Sequence, residues 1–222
     1  MQFNEAQIQA IQHNTGPCMV IAGPGSGKTT VLTHRVRYLI ERYGVNPSDI
    51  LVITFTKAAA EQMKLKFKGL SEGRNSAVTF GTFHAVFFTI LKAAYNYSAH
   101  CIIKPQIQHE FVKDQMCRLE LEYDDENEAV AGVLSEISCV KGEDVNIDEY
   151  ESRCIPPQSF RIMYRAYDDM LVRKHLIDFD DMIVQCRELL MQREDYRRAW
   201  QNKDKYILID EFQDINKAQF DV

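Results

Sequence analysis

Apolar residues along the chain fall into short unbroken runs separated by stretches with helical spacing. Residues 18–22 (CMVIA) form one such run, which enters a Gly-rich turn; Val31, Val36, Leu39 and Ile40 then recur at helical spacing. The pattern predicts strand, loop, helix. Residues 50–54 (ILVIT) predict a second buried strand, followed by an Ala-rich helix near 57–68. Residues 77–80 (AVTF) predict a third strand, with a helix from about 82 to 95. Strands alternating with helices imply an α/β domain built on a parallel sheet.

The pattern changes after residue 95. Residues 96–175 offer no strand signal and read as helical, broken at Pro105, Gly142 and Pro156–Pro157. A helix is expected over 180–192, and residues 206–210 (YILID) form another buried strand ending in a carboxylate. The expected organisation is an α/β domain over 1–95, an inserted helical subdomain over 96–175, and a return to the α/β domain over 176–222. The chain shows no internal repeat and no low-complexity segment.

Charge sharpens this division. Residues 1–109 hold 11 Lys/Arg against 5 Asp/Glu, residues 110–151 hold 3 against 14, and residues 152–222 hold 12 against 13. The basic first part suits a phosphate-rich partner, whereas the acidic middle reads as a solvated helical surface or an acidic docking face. Six cysteines show no CxxC spacing, so they read as reduced thiols of a cytosolic protein. No run approaches the length of a membrane span and the first residues carry no secretory signal.

Candidate chemistry begins at Ala22-Gly23-Pro24-Gly25-Ser26-Gly27-Lys28-Thr29. This is the P-loop pattern, with Ala22 where the strictest form has glycine. Gly25 and Gly27 let the backbone turn tightly, so that its N–H groups face phosphate oxygens. The helix beginning at Lys28 adds its positive N-terminal end. Lys28 reaches the β- and γ-phosphates, and the Thr29 hydroxyl is a ligand for Mg²⁺. The expected complement is an acidic strand end, which Asp210-Glu211 supplies. Asp210 is placed to hold Mg²⁺, and Glu211 to orient and deprotonate the attacking water. A GTPase would need Asn-Lys-x-Asp for guanine; Asn202-Lys203-Asp204-Lys205 has the wrong spacing. The Glu beside the metal Asp favours an ATPase over a kinase.

These motifs resemble the N-terminal part of superfamily 1 helicases of the UvrD/PcrA/Rep type. Asp210-Glu211-Phe212-Gln213-Asp214 is similar to that family's DExQD box, and Phe3-Asn4 followed by Gln7 resembles its Q motif. The resemblance implies a RecA-like fold with an inserted helical subdomain, and it makes Glu211 and Lys28 catalytic. It implies that Gln7 reads adenine, that Thr30 and Gln213 join the nucleotide site, and that Thr29, Asp210 and Glu211 surround the metal. Arg35 falls where the family packs an arginine on adenine; a surface helix position is the alternative. Residues 54–63 (TFTKAAAEQM) resemble the motif lining the single-stranded DNA channel, although many members read TFTNKAA. Gly81-Thr82-Phe83-His84 resembles the next DNA-contacting motif.

The residues themselves agree with a DNA role. Phe55, Thr56, Lys57, Thr82, Phe83 and His84 lie just beyond expected strand ends, where ligands of parallel sheets bind. Core packing is the alternative for Phe55 and Phe83, and a structural histidine for His84. Asp178 either contacts nucleotide or caps the helix after it.

The implied function is ATP hydrolysis coupled to movement along single-stranded DNA or a single-strand/duplex junction, 3′→5′ by resemblance, with ATP and Mg²⁺ as cofactors. Alternatives are the motor part of a helicase–nuclease subunit, or a nucleotide-binding or partner-docking piece without turnover. Because the DExQD box lies so close to residue 222, the resemblance implies a fragment. It would lack a sensor strand and a second RecA-like domain, be nearly inactive alone, and leave a sheet edge or gap exposed.

Overall fold

The computed structural model describes residues 2–71 and 77–222. In chain order, α1 (Glu5–Gln12) and α2 (Lys28–Tyr43) precede β1 (Ile50–Thr54), α3 (Lys57–Leu70), β2 (Thr79–Thr82) and α4 (Phe83–Tyr95). Then come α5 (Pro105–Arg118), α6 (Glu126–Gly142), α7 (Pro157–Lys174) and α8 (Phe179–Gln192). The chain finishes with α9 (Glu194–Lys203), β3 (Tyr206–Ile209) and α10 (Lys217–Asp221). It forms two compact units, residues 1–86 with 194–214, and residues 87–193 with 215–222.

The first unit is α/β, as the alternation of patterns predicts. Its sheet has the order β2-β1-β3, and both pairings are parallel. Every residue of β1 is buried, as expected of a central parallel strand covered on both faces. Ile50 pairs with Tyr206 and Ile53 with Ile209, and the Asp210 N–H donates to the Ile53 carbonyl at 2.9 Å. That last bond carries the ladder one residue past β3 and aligns the acidic strand end with the end of β1. Val36 and Leu39 of α2 and Met63 and Phe67 of α3 pack with Ile50, Val52 and Leu208 into one core.

Two expectations need correction here. Residues 18–22 are not a strand: they carry no regular structure, and Met19 and Ile21 are 71% and 91% exposed. A strand needs a partner ladder, and apolarity alone does not supply one. Both edges of β1 are taken by β2 and β3, and among the described residues nothing pairs with the outer edge of β3, where Ile207 is also exposed. The strand expected over 77–80 lies instead at Thr79–Thr82, in register with β1 from Leu51↔Thr79 onward.

The second unit is helical. Among its described residues the one β-bridge joins Ile102 to Ile177. Val112, Met116, Val130, Val133, Phe160 and Met163 contribute to a core shared by α5, α6 and α7. Polar groups are buried beside it. The Lys141 side chain is 4% exposed, with its ammonium 3.0 Å from Asp178, 2.6 Å from Asp181 and 3.1 Å from Asp168. The Tyr167 hydroxyl donates to the Asp178 carboxylate and accepts from the Gln108 amide. Asp178 is also the N-cap of α8, in a reciprocal capping box with Asp181. The capping alternative for Asp178 is therefore the one the structure shows.

This cluster holds more carboxylates than cations, and its protonation reflects that. Burial would lower the affinity of Lys141 for its proton, but Asp178, Asp181 and Asp168 outweigh it and hold the ammonium charged. Burial, reinforced by the charge of Asp178, pushes the Asp181 carboxyl up to about 6. A carboxyl raised above its unfolded value favours the fold while protonated, and that contribution is lost as pH rises through about 6. The helical unit is therefore expected to lose about 2 kcal/mol between mildly acidic and neutral pH. Denaturant melts across that range check this: Asp181→Asn, which keeps the capping oxygen, should flatten the profile, and an equally steep profile in the variant refutes the assignment.

The six cysteines are free. Among the described residues no helix is long and apolar enough to cross a membrane.

Candidate nucleotide site and strand-end surface

The Gly-rich loop is shaped by two left-handed residues, Gly25 (φ 74°) and Gly27 (φ 84°). A side chain is strained in that region, so glycine is the residue that makes the turn. Gly27 is the N-cap of α2, and its carbonyl accepts from the N–H groups of Thr30 and Val31. Lys28 and Thr29 therefore sit on the first turn of α2, where unpaired N–H groups and the helix dipole favour an anion. Ala22, Gly23, Pro24 and Ser26 complete the loop, and the Ser26 N–H donates back to the Gly23 carbonyl.

The Lys28 ammonium lies 3.4 Å from the Ala22 carbonyl and 3.8 Å from the Glu211 carboxylate. The loop and the acidic strand end thus face one another. Glu211 adopts φ 52°, an uncommon conformation for a residue with a side chain. The Gln213 amide donates to Glu211 at 2.7 Å and to Asp214 at 3.3 Å. Burial first, and the charge of neighbouring Glu211 second, raise the Asp210 carboxyl above its ordinary value, with Lys28 opposing. Two adjacent carboxylates with one ammonium nearby are short of positive charge.

Gln7 sits beside the same loop. Asn4 and Gln7 form the capping box that starts α1, and the Gln7 amide N–H also donates to the Ser26 carbonyl at 3.1 Å. Arg35 turns to α1: its guanidinium donates to the carbonyls of Ala10 (3.0 Å) and His13. It thereby satisfies carbonyls at the C-terminal end of α1. This task has no local signal in the sequence, because donor and acceptors lie more than twenty residues apart.

The strand-end residues are divided by burial. Phe55 presents an exposed ring, whereas Phe83 is buried and meets it edge-on with ring centres 6.5 Å apart. The Thr56 hydroxyl accepts from the Ala59 N–H and caps α3, and that of Thr82 accepts from the Ala85 N–H. Lys57 is exposed on the first turn of α3. His84 is partly buried, and desolvation lowers its affinity for a proton.

The sequence model of the UvrD/REP helicase N-terminal domain matches residues 3–222. The chain belongs to the UvrD/REP helicase family. It is 34% identical over 230 residues to the ATP-dependent DNA helicase Rep of Escherichia coli, covering 100% of this chain and 34% of Rep. It is 31% identical over 230 residues to the ATP-dependent DNA helicase PcrA of Staphylococcus epidermidis, covering 98% of this chain and 30% of that protein. The PcrA of Staphylococcus aureus is 30% identical over 227 residues, with 98% and 30% covered. As a member of the UvrD/REP family, the chain thus spans about a third of the length of these relatives.

Proposed function

We propose that this chain is the nucleotide-binding unit of an ATP-driven motor that moves along single-stranded DNA, or from it into a duplex junction. The observation that carries the reading is the 3.8 Å approach of Lys28 to Glu211, which brings the Gly-rich loop and the acidic strand end together. Relatives named as ATP-dependent DNA helicases across the whole chain support it.

The loop N–H groups and Lys28 hold the phosphates, with Thr30 on the same first turn of α2. When ATP enters, Lys28 exchanges the Glu211 carboxylate for phosphate oxygens. Glu211 is then released to take a proton from water, held by the Gln213 amide. The oxygen donors Thr29, Asp210 and Glu211 suit a hard cation, and the charge deficit at Asp210 fits one. Mg²⁺ bound there would neutralise phosphate charge. Gln7 keeps one amide N–H and one oxygen lone pair beyond its contacts with Asn4 and Ser26, enough to address an adenine edge. Arg35 supports that reader by holding α1. Phe55 offers a stacking face, Phe83 backs it, and Thr56, Lys57, Thr82 and His84 line the same strand-end surface. A second RecA-like domain elsewhere in the protein supplies arginines that stabilise charge on the transferring phosphate. Polarity 3′→5′ follows the family.

Lys28→Ala is expected to weaken ATP binding about a hundredfold, the scale of a charge-assisted contact, while circular dichroism stays unchanged. ATP affinity equal to that of the parent defeats the assignment. Phosphate release by the intact protein, with and without single-stranded DNA, separates a motor from a binder: a motor is stimulated by DNA.

A further inference from the structure

We propose that the exposed face of α3 is a phosphate-backbone track, which carries single-stranded nucleic acid onward from Phe55 and Thr56. The inference rests on the DNA-motor reading above and deepens it. Helix α3 holds Lys57, Lys64, Lys66 and Lys68 against Glu61 alone. At 3.6 residues per turn, Lys57, Lys64 and Lys68 project within about 40° of one another. They form a ridge about 16 Å long at 1.5 Å per residue. Ala60, Met63 and Phe67 bury a different stripe of the helix, so packing does not explain the lysines.

Among the described residues these four cations form no ion pair. Elsewhere in the same unit Arg37 pairs with Glu41, Arg197 and Arg198 with Glu194, Lys203 with Asp204, and Lys205 with Asp49. Among the described residues no carboxylate lies within ion-pair reach of the four lysines of α3. Glu61 reaches neither Lys57 nor Lys64 despite helical spacing that allows it. Lys64 and Lys68, one turn apart, repel each other. Residues 1–109 carry 11 Lys/Arg against 5 Asp/Glu, and α3, with four lysines and one glutamate, supplies half of that excess.

A polyanion with regularly spaced charge compensates such a ridge. The ridge starts at Thr56 and Lys57, directly after the exposed Phe55 ring. An aromatic face followed by backbone-neutralising cations is the combination that holds single strands without reading sequence. This continuity favours nucleic acid over an acidic protein segment.

The test uses the intact protein and a fluorescent oligodeoxythymidylate, with anisotropy titrations over a salt series. Lys64→Ala/Lys68→Ala is expected to lower affinity roughly tenfold at low salt and to make the slope of log affinity against log salt shallower by about 1.4. Lys66→Ala, on another side of the helix, should change neither, and ATP affinity should be unchanged in both variants. A double variant with the parent's affinity and slope overturns the track while leaving the motor reading intact. A parent protein that does not bind the oligonucleotide overturns the motor reading, and the track with it. A double variant that keeps DNA binding but loses binding of polyglutamate reassigns the face to acidic protein and also overturns the track.

Discussion

Exchanging Glu211 for glutamine is expected to leave ATP bound and slow its hydrolysis by about a hundredfold to ten-thousandfold, the range of a lost general base. Glutamine preserves the shape of the side chain and can still accept from the Gln213 amide, which now donates to Glu211 at 2.7 Å. It cannot take a proton from water. Removing the charge also frees Lys28 from its resting approach to Glu211, so ATP affinity should hold or tighten. Phosphate release in the presence of DNA, measured beside nucleotide affinity, checks both halves. Turnover within tenfold of the parent would remove Glu211 from the role of base.

The second large effect belongs to the helical unit. Lys141→Met is expected to cost about 3–5 kcal/mol, because it strands buried carboxylates without a cation. Methionine fills similar volume, so the loss is electrostatic and not a cavity. It should also depend on pH. Asp181, already pushed up to about 6, and Asp168, raised by burial, accept protons once Lys141 is gone, so acid restores part of the loss. Denaturant melts at acidic and alkaline pH measure this, and adding Asp181→Asn to the variant should recover stability at neutral pH. A variant as stable as the parent would mean that the cluster contributes nothing net.

How far these features can be read from sequence depends on where their partners lie. The Gly-rich loop and Asp210–Glu211 are legible because each is contiguous and each abuts a predicted strand or helix. Segments 50–54 and 206–210 are legible as strands because each is an unbroken apolar run, although every residue is buried only in β1, while β3 leaves Ile207 exposed. Residues 18–22 have that same signature without forming a strand, since pairing is decided by neighbours that a run of apolar residues does not encode. Helix α9 is hard to read for the opposite reason: EDYRRAWQNK buries no residue, and its apolar stripe is limited to Tyr196, Ala199 and Trp200. Helix α1 does have a local cue, the Asn4/Gln7 capping box, which the Q-motif resemblance overshadows. The cluster at Lys141 has no local signature, because one lysine near the end of an acidic stretch gives no hint of carboxylates 27 to 40 residues away. Asp178 alone carries a local signal, as an N-cap.

The contacts of Arg35 carry a consequence for how the site responds to load. Arg35 and Lys28 belong to one helix, α2, and the guanidinium holds the trailing end of α1 while Tyr43 donates to the Gln12 carbonyl nearby. Gln7 near the start of α1 in turn holds the Ser26 carbonyl. Helix α1 is therefore tied at both ends, to α2 and to the loop before it, so a pull on the first dozen residues is expected to reach the phosphate cradle as displacement rather than be absorbed as slack.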